Sequence, residues 1–100
     1  PPSSSPPPPQ RLDLFRRATR GAAAASPPWS RRDPDVVQVW LGYAEAAGEA
    51  GDEDEARVAF RYMKAQRIGE GDGEVLEAWA RMEEKAGNPE KARKLREEAR

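Results

Sequence analysis

Apolar side chains recur every three or four positions from residue 34 onward, which is the spacing of helices that bury one face. Glycines and capping residues interrupt this pattern and divide it into segments. Asp33 before Pro34, and Asp52 before Glu53, are typical helix starts, because an aspartate side chain can accept a hydrogen bond from a backbone N–H of the first turn. The pattern predicts four helices, over residues 34–47, 53–66, 74–86 and 89–100.

The second pair of predicted helices repeats the sequence of the first pair. When Tyr43 is aligned with Trp79, residues 39–57 match residues 75–93 at aromatic, alanine, glycine and arginine positions. Self-similarity at a period of roughly 34–47 residues, with a helix–turn–helix in each unit, is typical of TPR and HAT repeats. We therefore expect an all-α fold of two TPR/HAT-like antiparallel hairpins, part of a longer array. The residues expected to form its core and repeat signature are Trp40, Tyr43, Ala44, Gly51, Ala56, Arg57, Phe60, Met63, Ile68, Gly69, Trp79, Ala80, Gly87, Asn88 and Ala92.

Residues 1–32 are rich in proline, serine, alanine and arginine, so we expect a tail and linker there and the repeat domain over residues 33–100. Within this segment, Leu12, Phe15 and Thr19 stand at helical spacing and predict a short helix over residues 11–20. A linker is expected to begin at Gly21. Two other interpretations stay open, since a proline run also fits an SH3 or WW ligand and an acid-poor, arginine-rich leader fits an organelle transit peptide.

The same segment carries two phosphorylation motifs. Thr19 follows a pair of arginines at the spacing that basophilic kinases favour, and Ser26 precedes a proline. Trp29 either docks on the first repeat or stays exposed. The chain begins with proline rather than methionine, and we expect it to belong to a larger protein.

Charge and composition narrow the classes of function. Lysine and arginine total 17 against 18 aspartates and glutamates, so nucleic-acid and membrane-surface binding, which need a clustered positive field, are not expected. The sequence has no cysteine and no histidine, which excludes thiolate and imidazole metal sites and the corresponding nucleophile systems. No apolar run approaches the ~18 residues of a membrane span. We expect no cofactor and no metal.

The acidic motifs do not predict an enzyme. The glycine-rich segment 69–73 has neither the spacing nor the charge of a phosphate loop, and residues 52–57 lack the later ligands of a calcium loop. Paired carboxylates such as Glu83–Glu84 and Glu97–Glu98 are expected on solvated helix faces, where nothing raises their pKa. We expect an interaction module without catalytic residues.

A helical array of this kind binds partners on its concave surface or in the grooves between its helices. The contact residues that the sequence predicts are Gln38, Glu45, Arg81 and the corner at Ile68-Gly69. An alternative is a HAT-type scaffold of an RNA-processing complex, nuclear or organellar. In that case an RNA groove would be lined by Arg57, Arg61, Arg93 and Lys94.

Three segments carry a resemblance to a known family. The run DPDVVQVWLGYAE at residues 33–45 resembles the opening of the N-terminal TPR-like region of spindle-assembly-checkpoint proteins. These are the BUB/MAD family of kinases and kinase-dead relatives, with the related monopolar-spindle kinase. The run FRYMKAQRIG at residues 60–69 is similar to a second segment of that family, and AWA at residues 78–80 to a third.

The resemblance implies a function that composition does not. A region of this family would dock a mitotic-checkpoint kinase, or its relative, onto kinetochore scaffold proteins. It would locate to the nucleus and kinetochore in mitosis and to the cytoplasm at other times, with an organelle as the alternative location. The resemblance also implies a Ser/Thr kinase domain C-terminal to this region, and residues 33–100 themselves contain no kinase catalytic motif.

Overall fold

The structure, a computed structural model, describes residues 8–25, 33–71 and 73–99, and within the first segment it describes the side chains of residues 10–20. These three ranges contain five α-helices and no strand, so the all-α prediction is confirmed for them. The helices are α1 (Pro8–Ala25), α2 (Pro34–Glu49), α3 (Glu53–Gln66), α4 (Glu74–Lys85) and α5 (Pro89–Ala99). Ser26, Trp29 and the first seven residues, on which several predictions fall, lie outside the described ranges.

Two helical hairpins form the body of the molecule. α2 packs along α3 and α4 along α5, while α1 lies against α2, and α4 contacts both α2 and α3. The four helices of these hairpins begin and end within two residues of the predicted positions, because their caps are local. Asp33 accepts a hydrogen bond from the backbone N–H of Asp35, and Asp52 accepts one from that of Glu55.

The turn glycines have the backbone conformation that their positions require. Gly51 and Gly87 follow α2 and α4 with φ of 85° and 87°, in the left-handed region where a side chain is strained. Gly48 lies inside α2, because that helix continues to Glu49, two residues past its predicted end at residue 47. A single glycine in a helix is tolerated at a cost of about 1 kcal/mol.

One core joins the two hairpins. Phe60 of α3 stacks on Trp79 of α4 with ring centroids 5.6 Å apart, and Trp40 of α2 stacks on Tyr62 of α3 at 4.5 Å. Alanines at the helix crossings are almost fully buried and allow the backbones to approach closely. The buried members of the predicted signature are Trp40, Ala44, Ala56, Phe60, Met63, Ile68, Gly69, Trp79, Ala80 and Ala92. Tyr43 and Arg57 are partly buried, and Gly51, Gly87 and Asn88 are exposed.

The first helix is longer than the sequence suggested. α1 covers Pro8–Ala25 instead of residues 11–20, so the linker expected from Gly21 is helical as far as Ala25. The four alanines after Gly21 explain why the helix continues past residue 20, because alanine has the highest intrinsic helix propensity. Leu12 is buried against α2, so part of the expected tail packs on the helical hairpins.

Candidate binding grooves

A fully buried carboxylate, that of Glu83, lies at the junction of α3, α4 and α5. Arg57 of α3 donates to it through Nε at 3.0 Å and Nη2 at 2.9 Å, and Trp79 donates through Nε1 at 3.1 Å. Asn88 donates through Nδ2 at 3.0 Å, and Lys91 of α5 lies 3.1 Å away. The prediction that Glu83 lies on a solvated face is therefore wrong, because Glu83 follows Trp79 by one helical turn and shares its inward face.

The environment of Glu83 keeps it ionised. Burial alone would raise its pKa, but hydrogen bonds from Arg57, Asn88 and Lys91 outweigh burial and lower the pKa to about 2. A carboxylate with this pKa carries no proton at neutral pH and cannot serve there as a general acid. Glu83 thus connects three helices through its hydrogen bonds and ion pairs.

A related contact joins α1 to the first hairpin. Arg16 of α1 donates to Glu55 through Nε at 2.7 Å and Nη2 at 2.5 Å, and the hydroxyl of Tyr43 donates to the same carboxylate at 2.6 Å. Arg11 forms a further ion pair with Glu49. The bonds from Arg16 and Tyr43 lower the pKa of Glu55 to about 2, and burial together with Glu55 raises the pKa of Tyr43 to about 12.

The two contacts use the same kinds of side chain but place the carboxylate differently, since Glu55 lies on the helix after Tyr43, whereas Glu83 lies on the same helix as Trp79. In each, the aligned aromatic residue, Tyr43 or Trp79, donates to a carboxylate that an arginine of the preceding helix also binds. Arg16 thus joins α1 to α3, and Arg57 joins α3 to α4. Sequence reasoning did not identify Arg16 and Glu55 as partners, since they lie far apart in the chain and on segments assigned to different regions.

A first groove runs between α2 and α4. Glu45 and Arg81, two of the predicted contact residues, both line it, together with Glu49 and Lys85. The other predicted contact residues, Gln38, Ile68 and Gly69, do not line this groove. Gln38 donates to Glu74 at 3.1 Å beside another depression. Ile68 is only 7% exposed and Gly69 is buried, so the predicted corner contributes to the core rather than to the surface.

A second groove, the α3–α5 groove, lies on the other side of the second hairpin. Three of the four residues of the predicted RNA groove line it: Arg57, Arg61 and Lys94. Arg93 does not line the groove, and its guanidinium binds Glu90 at 2.8 Å and Glu97 at 3.0 Å. Lys91, which sequence reasoning had not proposed, also lines the groove.

The predicted phosphorylation site on α1 is covered. Thr19 is 4% exposed, and its hydroxyl donates to the backbone carbonyls of Phe15 at 2.8 Å and Arg16 at 3.2 Å. In this arrangement its oxygen is not accessible to a kinase. Ser26 lies outside the described residues.

The described side chains contain no group of three or more acidic residues, histidines or cysteines able to hold a metal ion. Among the helices of the described ranges, none has the length and apolar character that crossing a bilayer demands. Comparison with known proteins found no matching family model, no matching curated protein and no matching solved structure.

Proposed function

We propose that this chain is a non-catalytic protein-interaction module built from two TPR/HAT-type hairpins. The observation that carries the proposal is the succession of two packed helical hairpins, α2 with α3 and α4 with α5. In these hairpins the aligned residues Tyr43 and Trp79 each donate to a carboxylate that an arginine of the preceding helix also binds. Two successive hairpins with matching aromatic positions favour an array assembled from like units. Such arrays leave grooves between their helices open to partners, as between α2 and α4 and between α3 and α5.

The state of the carboxylates supports a non-catalytic role. The two carboxylates with the most hydrogen-bond donors, Glu55 and Glu83, have pKa values lowered to about 2, and both are bound by arginine. General acid–base catalysis instead favours a pKa near the working pH. Several further carboxylates, such as Glu84 and Glu90, are in ion pairs on the surface.

The resemblance to checkpoint proteins supplies the finer proposal. In this proposal the module docks a mitotic-checkpoint kinase or its relative onto a kinetochore scaffold protein. The support is that the resembling segments occupy defined elements: residues 33–45 form the capped start of α2, and residues 60–69 form the end of α3 with its turn.

A HAT-type scaffold for RNA processing is the second candidate. It is favoured by one observation, that Arg57, Arg61 and Lys94 lie along a single groove. Phosphate contacts in such a groove would make binding strongly dependent on salt concentration.

Localisation of the tagged protein through the cell cycle tests the proposal. Kinetochore foci in mitosis are expected, and they should disappear in a version that lacks residues 33–100. The control is Leu14→Ala, which changes an exposed side chain of α1 and should leave the foci intact. A steady nucleolar or organellar signal, with ultraviolet cross-linking to RNA, would contradict kinetochore docking and support the RNA scaffold.

A further inference from the structure

The α3–α5 groove has an arrangement of charges that the fold itself does not explain. α3 and α5 run in the same direction. Near their N-terminal ends both helices bind Glu83 of α4, and in their last turns Lys64 of α3 pairs with Glu98 of α5. Charged residues follow both helices at helical spacing along this line of contact. Successive turns of α3 and α5 therefore face each other across the groove, and each such pair of turns forms one level.

At the first and last levels, a carboxylate binds the positively charged side chains. At the first level, Arg57 of α3 and Lys91 of α5 both bind Glu83. At the last level, Lys64 of α3 lies 2.9 Å from Glu98 of α5. At both levels the positive charge of one helix is compensated within the contact.

The middle level has two positive charges and no carboxylate bound to them. Arg61 lies one turn after Arg57, and Lys94 lies one turn after Lys91, and both line the groove. Within the described residues, neither forms an ion pair. Of the two carboxylates that also line the groove, Asp54 pairs with Arg57, and Glu90 pairs with Arg93 and attracts Lys94 without forming an ion pair with it.

An exposed apolar side chain stands beside this level. Val58 lines the groove and is 58% exposed, one of two large apolar side chains marked by such exposure in the described part of the chain. A ligand suited to the groove therefore combines negative charge with an apolar group. Like-charged side chains that share a groove favour a ligand of opposite charge, because binding relieves their repulsion.

We propose that the α3–α5 groove binds an acidic segment of a protein partner, with a carboxylate between Arg61 and Lys94 and an apolar side chain against Val58. This inference rests on the proposed function, and it names the chemistry of the partner. A protein segment fits better than RNA for two reasons. Val58 offers an exposed apolar contact that suits a side chain better than a phosphate backbone, and none of the described residues that line the groove is an aromatic on which a base could stack.

The test measures binding of the complete chain to short fluorescein-labelled probes by fluorescence anisotropy. The probes are a peptide of repeating Glu-Glu-Leu units, the same peptide with glutamine in place of glutamate, and oligouridine of equal charge. The variant is Arg61→Glu with Lys94→Glu. The matched control, Arg81→Glu with Lys85→Glu, makes the same change of net charge at exposed residues of the α2–α4 groove.

The acidic peptide should bind the native chain, and the Arg61→Glu, Lys94→Glu variant should weaken that binding about tenfold or more. The Arg81→Glu, Lys85→Glu control should weaken peptide binding by less than about twofold, because salt screens the attraction between the peptide and distant charges. The glutamine peptide should bind at least about tenfold more weakly than the acidic peptide.

Four results would overturn the inference in different ways. Tighter groove-dependent binding of oligouridine would identify an RNA site and would also contradict the proposed function. Equal losses in the variant and the control would show a response to net charge only. Binding that only the control abolishes would place the partner in the α2–α4 groove, which rejects this inference but leaves the interaction module intact. Absence of acidic-peptide binding, with kinetochore localisation retained, would likewise reject the groove assignment alone.

Discussion

At the scale of single residues, Glu83 receives hydrogen bonds or ion pairs from α3, from α4 and from the start of α5. Glu83→Ala leaves Arg57 and Lys91 without their shared carboxylate, and we expect it to lower the free energy of unfolding by about 3–5 kcal/mol. Glu83→Gln keeps the shape and should have an intermediate effect. Urea unfolding followed by circular dichroism measures both changes.

The control for Glu83 is its neighbour Glu84, which is exposed and pairs with Arg96 at 2.6 Å. Glu84→Ala should lower the free energy of unfolding far less than Glu83→Ala, because exposed ion pairs contribute little. Equal losses for the two substitutions would contradict the structural role assigned to Glu83.

The same carboxylates determine the pH dependence of stability. Glu55 and Glu83 have pKa values of about 2 in the folded chain, against a usual value of 4.5. A lowered folded-state pKa stabilises the fold when the group is ionised, so this stability is fully present above about pH 4.5 and is lost as pH falls toward 2. Unfolding measured across this window should show the loss, and Glu83→Gln should make it shallower. A decline that begins near neutral pH would contradict the assignment, since the chain has no histidine.

The sequence revealed only part of this chemistry. The position of Glu83 on the apolar stripe of α4 was visible, but its burial was not, because Arg57 and Lys91 come from other helices and reach it only after the hairpins pack. The Arg16–Glu55 contact depends in the same way on where α1 lies. Local patterns indicate which side of a helix faces inward, whereas they do not identify charged partners in distant segments.

At the scale of the helices, two glycines of α2 should respond differently to substitution. A Cβ added at Gly42 would lie 2.4 Å from the ring of Phe15, whereas one at Gly48 would lie 3.9 Å from the Met82 side chain. Gly48→Ala should therefore stabilise the chain by about 0.5–1 kcal/mol through helix propensity. Gly42→Ala should instead push α1 away from α2.

Hydrogen exchange distinguishes these two outcomes. In Gly42→Ala the backbone amides of α1 should exchange faster, while those of α4 and α5 stay unchanged. In Gly48→Ala the amides of α1 should remain protected. Unchanged protection of α1 in both variants would show that Phe15 does not hold α1 on α2 through this contact.

The helix boundaries were more predictable than the arrangement of the helices. Asp33, Asp52, Gly51 and Gly87 mark ends through hydrogen bonds and backbone angles within their own turns, so sequence reasoning located those ends within two residues. The ends of α1 were missed because proline and glycine suggested breaks, while the alanines continued the helix.

At the scale of the whole molecule, α1 covers one side of the first hairpin. Leu12 packs with Ala46, Ala47 and Ala56, and Arg16 binds Glu55. Removing residues 1–32 should therefore lower the free energy of unfolding by about 2–4 kcal/mol, from lost apolar burial and the lost ion pair. Thermal unfolding of the shortened and complete chains measures this difference. Equal stability would show that α1 contributes nothing to the fold.

Nuclear magnetic resonance of the isotope-labelled chain, titrated with the Glu-Glu-Leu peptide, tests the central claim most directly. We expect the backbone amides whose chemical shifts change to cluster on α3 and α5 around Val58, Arg61 and Lys94, with little change on α2. Shifts concentrated around Glu45 and Arg81, or spread evenly over every cationic side chain, would contradict the claim that the α3–α5 groove is where this module binds its partner.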